Sequence, residues 1–311
     1  MDLRVSNQKH HEVKRMRLRC RKLLLFAAAL ALAAPGVAQK PTTKPDSDDF
    51  QKGFTEFETF QGEANSDSKV LKLDSTVGYD FNKHFGVFAG VPVYFSHVSS
   101  STTSTTTTSS GGTGVGNVYL GFALRAPNPT LDYSSTVTAG APTGDTKKGL
   151  STGRASIDWD NRFEHSFDRL TPFFDGGLAN TVPDSVFLTR PFTSLGAITH
   201  LEEGADFDLV RHFSVGGSAY QIVPFGNQKL VSRLVRRGQS GRGGRVFDAA
   251  ASASGSGLTR ENGFSTWVGF EPTSILRAEI GYTRSTTFDL NSFAFNLRVN
   301  FGKLLRPRKT S

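Results

Sequence analysis

Cysteine is nearly missing. The only one in 311 residues is Cys20, and it precedes an apolar run instead of following it. The chain beyond residue 38 can therefore form no disulfide, thiolate metal site or cysteine nucleophile, and the position of Cys20 excludes lipoprotein acylation. Long apolar runs are scarce too. After residue 38 no stretch of about 18 apolar residues occurs, which excludes a transmembrane helix. A strong basic excess is also lacking once its location is considered. The formal charge is +8, but residues 1–38 hold eight Lys/Arg against Asp2 and Glu12, so +6 of it belongs to them and about +2 to the rest. The remaining cations concentrate in 226–262 and in 302–311, which leaves the other residues net acidic. That partition argues against nucleic acid as a partner.

What is present begins with an export signal. Arg17, Arg19, Arg21 and Lys22 precede the apolar run Leu23 to Ala34, and Gly36-Val37-Ala38 forms a small-x-small cleavage site. This order of charge, core and small residues is that of a signal peptide, with Gln39 as the mature start. The competing reading is a buried helix of a soluble domain. Export predicts four regions: signal peptide 1–38, a periplasmic N-terminal segment 39–53, a folded body 54–301 and a basic tail 302–311.

The body has a period of two. In VLKLDSTVGYDF (70–81), Leu71, Leu73, Val77, Tyr79 and Phe81 share one face, and Lys72, Asp74, Thr76, Gly78 and Asp80 the other. SFAFNLRVNF (292–301) and ASIDWDNRFE (155–164) alternate in the same way. Such alternation predicts strands with one apolar and one polar face. About twelve are expected: 54–62, 70–81, 85–98, 117–125, 131–140, 154–164, 172–182, 195–209, 213–223, 263–270, 275–286 and 290–301. Most approach the roughly nine to eleven residues that a tilted strand needs to cross a bilayer.

Tight connections alternate with long ones at 63–69, 99–116, 141–153, 183–194 and 224–262. Short periplasmic turns and long outer loops string an outer-membrane barrel in this way. The expected fold is all-β: an antiparallel up-and-down transmembrane β-barrel in the outer membrane of a Gram-negative-type bacterium. A soluble β-sandwich also alternates. It is disfavoured by the charged face repeated along most strands and by an apolar face rich in Phe, on which Trp159 and Trp267 are expected among interface aromatics. The Ser/Thr run 99–114 holds no apolar residue and is expected to be mobile.

Candidates for chemistry are few. APTGDTKKGLSTGR (141–154) invites comparison with a phosphate-cradling loop. Gly144 and Gly149 have the P-loop gap, but Leu150 stands where the lysine must follow, and the stretch joins two strands. RRGQSGRGGR (236–245) reads as a soluble loop or as a contact for lipopolysaccharide phosphates. Asp158/Asp160 and Asp206/Asp208 set two carboxylates on one strand face. They suit a hydrated lumen wall better than a divalent cation, so no metal or cofactor is expected. A hydrolytic barrel needs a Ser/His pair on its strands, and His165-Ser166 falls in a turn, so no enzyme is expected. The residues expected to face the lumen are Lys72, Asp74, Asp158, Asp160, Arg162, Glu164, Asp206, Asp208, Arg277, Glu279 and Arg298, with Glu279 and Arg298 expected to form an ion pair.

GVGNVYLGFALRAP (114–127), APTGDTKKGLSTGR (141–154) and VGYDFNKHFGVFAGVPVYF (77–95) follow one another in the chain. They resemble the GxGD(x)xxGxxYR strand, the PTGD…LGTG loop and the GYDxTKHxGVxxxVP hairpin of the MetA-pathway of phenol degradation family of outer-membrane transporters. The match covers roughly 70–180. Pro142, Thr143, Gly144, Asp145 and Gly153 carry the loop motif. Asn117 stands where the family has an acid, Leu150 to Gly153 stretch the spacing, and ten residues follow Phe301. The resemblance implies an outer-membrane channel for small aromatic or hydrophobic compounds. The expected function is passive passage of a small solute through a polar lumen. The expected partners are outer-membrane lipid, lipopolysaccharide and the barrel-assembly machinery. The alternative of another class is a non-conducting structural or surface-interaction barrel whose loops bind partners.

Overall fold

The structure is a computed structural model that describes residues 53–64, 68–98, 111–233 and 252–301. The expected signal peptide, the N-terminal segment to residue 52, the run 99–110, the Arg/Gly-rich stretch 234–251 and the tail 302–311 lie outside the described residues. Each period-2 segment becomes a barrel strand. These are β1 (Gly53–Ala64), β2 (Ser68–Asp80) and β3 (Phe85–Val98), then, after the short β4 (Gly111–Val115), β5 (Tyr119–Ala126), β6 (Asp132–Gly140), β7 (Ser156–Glu164) and β8 (Leu170–Ala179). After β9 (Phe192–Leu195) come β10 (Ile198–Val210) and β11 (Phe213–Pro224). After β12 (Asn227–Ser232) and β13 (Ser252–Ser256) come β14 (Glu261–Thr273), β15 (Leu276–Ser285) and β16 (Leu290–Asn300).

Twelve of these strands close into one antiparallel barrel in chain order, β1-β2-β3-β5-β6-β7-β8-β10-β11-β14-β15-β16, and β16 returns to β1. The closing register sets Phe57 opposite Arg298 and Thr59 opposite Asn296. Closure gives each of the twelve barrel strands a neighbour on both sides.

Burial is inverted relative to a water-soluble protein. Thr283, Ser285 and Ser292 are fully buried, whereas Phe293 is 65% exposed and Ile280 63% exposed. The alternation explains this. Residues two strands apart can touch only on the concave side of a curved sheet, and the polar residues do so. Tyr119 on β5 reaches Asp74 on β2 across β3 (2.8 Å). Trp267 on β14 reaches Asp206 on β10 across β11 (2.7 Å). The outer face carries an uncovered belt that includes Leu73, Val77, Leu120, Ile157, Leu178 and Phe295. Near the short-turn end the belt closes in ring pairs: Phe54–Tyr79 (4.7 Å), Tyr79–Phe81 (5.2 Å), Tyr133–Phe163 (5.1 Å) and Phe213–Phe270 (4.7 Å).

Three sequence expectations need correction. Part of the connection 99–116 is strand, because β5 begins only at Tyr119, opposite Gly90, and the upper half of β3 pairs instead with β4, from Val93 opposite Val115 to His97 opposite Gly111. The long connection 224–262 contains β12 and β13, which join β9 in a separate three-stranded sheet. Phe192 and Leu230 are buried in it, with Leu258 and Phe288 packed against them. Trp159 is on the outer face, 47% exposed, but Trp267 is inside and only 8% exposed. The β14 alternation sends Phe264, Val268 and Phe270 outward and Trp267 inward with Ser265.

Candidate functional site: the in-folded segment and the lumen wall

The connection from β8 to β10 does not stay at the rim. Residues 182–191 (VPDSVFLTRP) break the alternation and fold into the barrel, where Leu188, Thr189 and Arg190 are at most 2% exposed. Three groups of contacts hold the segment. At one end the Asp184 carboxylate lies 3.0 Å from the Arg233 guanidinium and 3.9 Å from the Lys72 ammonium. The Tyr94 hydroxyl donates to it (2.8 Å), and so does the backbone N–H of Arg190 (2.9 Å). Arg233 also stacks over the Tyr94 ring, 4.3 Å from its centre. At the other end Arg190 pairs with Glu261 on β14 (2.7 Å) with both side chains almost fully buried, and Tyr220 donates to the same carboxylate (2.8 Å). Between them Thr189 donates to Gln61 on β1 (2.7 Å), and Gln61 donates to the carbonyls of Ser185 and Val186.

Phe187 is the apolar tip. Its ring lies 5.4 Å from that of Trp267, with the planes 14° apart. Glycine makes this approach possible. A Cβ on Gly281 would fall 2.1 Å from the Phe187 ring, and one on Gly216 would fall 2.2 Å from Trp267. Buried ions persist only when paired and hydrogen-bonded, and each ion of the segment meets this requirement. Burial alone would push the Asp184 carboxyl up, but Arg233, Lys72 and the Arg190 backbone N–H outweigh it and hold the group below its ordinary value. Burial likewise opposes the charge on Arg190, and Glu261 reverses that, so the guanidinium is held above its ordinary value.

Beside the segment lies a half-open cavity of about 290 Å³, lined among others by Lys72, Tyr94, Tyr119, Asp158, Asp184 and Arg233. Phe88, Pro92, Leu150 and Val182 complete its apolar side. The cavity is amphipathic.

The residues singled out in the sequence fall into several groups on the inner face. Lys72 and Asp74 pair (3.1 Å) beneath Asp184. Asp158 and Asp160 flank the His200 imidazole, 2.9 Å from its Nε2 and 3.7 Å from its Nδ1. His200 thus occupies the place considered for a cation, and among the described residues no His/Cys/Asp/Glu group is placed to hold a metal. Arg162 bridges Glu164 (2.8 Å) and Asp175 (3.0 Å). Asp206 accepts from Trp267. Asp208 lies at the turn end of β10, where its backbone N–H donates to the Arg169 carbonyl (2.8 Å).

The expected Glu279–Arg298 ion pair does not form. In the β15–β16 register Arg277 stands opposite Arg298 and Glu279 opposite Asn296. Glu279 binds Arg277 instead (2.7 Å), and Arg298 stacks over Phe57 (5.1 Å).

The loop-motif residues bind their neighbours. The Thr143 hydroxyl accepts from the Val118 N–H (2.9 Å) and donates to the Gly116 carbonyl (3.2 Å). The buried Gly144 donates its N–H to Asn117 (3.1 Å), so the two motifs interlock through the residue that departs from the family pattern. Pro142 is exposed. Asp145 caps the turn Thr146–Lys148 by accepting from the Lys147 N–H. Gly153 has a φ of 75° and donates to Ser151.

Sequence reasoning missed Asp184, Phe187, Arg190, Arg233, Glu261, Asp175 and His200. The usable signal was a charged pair, Asp184 and Arg190, set among Val, Phe, Leu and Pro in a connection too apolar for a solvated loop.

No protein-family model matches the chain, and no curated protein matches it in sequence. Solved structures do. The COG4313 outer membrane channel from Pseudomonas putida F1 superposes with a TM-score of 0.53 at 11% identity, covering 84% of this chain and 100% of that one. The KdgM porin gives 0.46 at 6% identity over 78% and 98% of the two chains. The CymD monoaromatic hydrocarbon channel gives 0.39 at 6% identity over 81% and 88%. At this identity the first likeness establishes the fold alone, and the other two scores carry no argument. The chain has the fold of a twelve-stranded outer-membrane β-barrel.

Proposed function

We propose that the protein is an outer-membrane channel through which small solutes pass passively, by way of a polar lumen narrowed by residues 182–191. The inversion of the barrel carries this reading. An uncovered belt of Phe, Leu, Ile and Val outside requires lipid around it, since a contiguous apolar surface of that extent is unstable in water. The charged inner face holds water and lowers the desolvation cost of a polar solute. In this reading residues 1–38 are the cleaved export signal, and the short turns face the periplasm. The long loops meet lipopolysaccharide, and the barrel-assembly machinery inserts the chain. The strand, loop and hairpin motifs support membership of the phenol-degradation transporter family and, with it, aromatic or hydrophobic compounds as solutes. Interlocking of Asn117 with Gly144 gives those motifs a shared structural purpose.

A second reading has an observation in its favour. The buried ion pairs of 182–191 hold that segment across the lumen, as in a structural barrel with no passage. Planar-bilayer recording separates the two. Discrete conductance steps are expected from purified, heat-modifiable protein. Folded protein that yields no steps would overturn the channel and leave the non-conducting barrel.

A further inference from the structure

The inner wall is not evenly charged. We infer that the passage prefers cations to anions, inorganic ions and small organic amines alike, and that carboxylates on β7, β8 and β10 impose the preference. This inference rests on the channel reading. Asp158, Asp160 and Glu164 on β7, Asp175 on β8, and Glu202 and Asp206 on β10 share the concave face of three consecutive strands. On these three strands only Arg162 and His200 answer them with charge, and both are already engaged; Arg277 on β15 also acts on Asp206 but is itself paired with Glu279. Arg162 is held by Glu164 and Asp175, and His200 by Asp158 and Asp160. Glu202 and Asp206 are met by neutral donors, the Ser218 hydroxyl and the Trp267 indole. Even with His200 protonated, carboxylates outnumber cations here by six to two.

The rest of the inner face does not compensate. Lys72 is paired with Asp74, Arg125 with Asp80 and Arg277 with Glu279. Arg190 of the in-folded segment pairs with Glu261, and Arg233 pairs with the segment's Asp184, both pairs buried. Arg298 lies over the Phe57 ring. No discrete ion-binding site follows from this. The preference arises from unbalanced fixed charge on a narrow aqueous path enclosed by low-dielectric walls, where screening is weak and counter-ions are concentrated.

The test is the reversal potential of the full-length mature protein in a planar bilayer under a KCl gradient. Wild type is expected to reverse on the potassium side. The variant Asp160→Asn/Glu202→Gln/Asp206→Asn is expected to move the reversal potential toward zero, with heat-modifiable mobility confirming that it folds. Glu58→Gln removes a carboxylate from the outer face, where Glu58 accepts from Ser75, and is expected to leave the reversal potential unchanged. Reversal on the chloride side, or a triple variant as selective as wild type, overturns the inference while leaving the channel intact. Absence of steps from folded protein overturns the channel reading itself.

Discussion

The Phe187 ring lies nearly parallel to the Trp267 indole, 5.4 Å away inside the barrel. Trp267 in turn donates to Asp206, so one aromatic stack joins the in-folded segment to the carboxylate wall.

Removing the tip of that segment widens the passage. Phe187→Ala is expected to raise single-channel conductance while the protein keeps its heat-modifiable mobility. The stacked pair itself contributes only about 0.5–1.5 kcal/mol beyond burial, so the barrel survives. Unchanged conductance would show that Phe187 does not narrow the path.

Breaking the buried pair is more costly than removing it whole. Arg190→Ala leaves Glu261 charged and buried, a loss of about 3–5 kcal/mol visible as a lower urea midpoint in lipid vesicles. Arg190→Met combined with Glu261→Leu is expected to recover most of that loss. Equal midpoints for the single and double variants would refute the pairing energetics.

Acid should release the other end of the segment late. Asp184 is held below its ordinary 3.8. Its stabilising contribution is therefore complete above 3.8 and is lost only as pH falls through the lower folded value. Conductance recorded against pH should show no release of the segment at or above about pH 4. A transition near pH 5 that is absent in Asp184→Asn would contradict the direction of the shift.

The outer belt can be probed at Ile280, one of its most exposed residues. Ile280→Arg puts a charge at the middle of β15 and should cost about 2–4 kcal/mol of folding stability in vesicles. Thr283→Val on the inner face adds no charge and should cost much less. An Ile280→Arg protein as stable as wild type would mean that lipid does not cover this face.

The interlocked motifs make a milder prediction. Asn117→Ala removes the acceptor for the Gly144 N–H, worth about 1 kcal/mol, and should speed tryptic cleavage at Lys147 and Lys148. Asn117→Asp, which supplies the acid typical of the family, should restore wild-type rates.

Legibility in the sequence followed from locality. Strand β2 could be read residue by residue, because alternation in 70–81 is a property of neighbours along the chain and its apolar face is the outer belt. Trp267 was misplaced because amphipathic aromatics suit an interface, and only the β14 register reveals that its parity points inward. The Glu279–Arg298 pair failed for a similar reason. Adjacency of two strands was readable, but the one-to-one register that puts Arg277 opposite Arg298 is fixed by the turn between them.

The in-folded segment was hidden more deeply. Thr189 meets Gln61 across 128 residues of chain, and Arg190 meets Glu261 across 71. The sequence by itself determined an all-β chain of about twelve two-faced strands, because period-2 polarity dictates which side of a sheet seeks water. Tertiary structure alone decided which polar residues meet inside and which connection turns inward. Those outcomes depend on the curvature that closes β1 onto β16 and on the few ångströms of lumen across which side chains can reach.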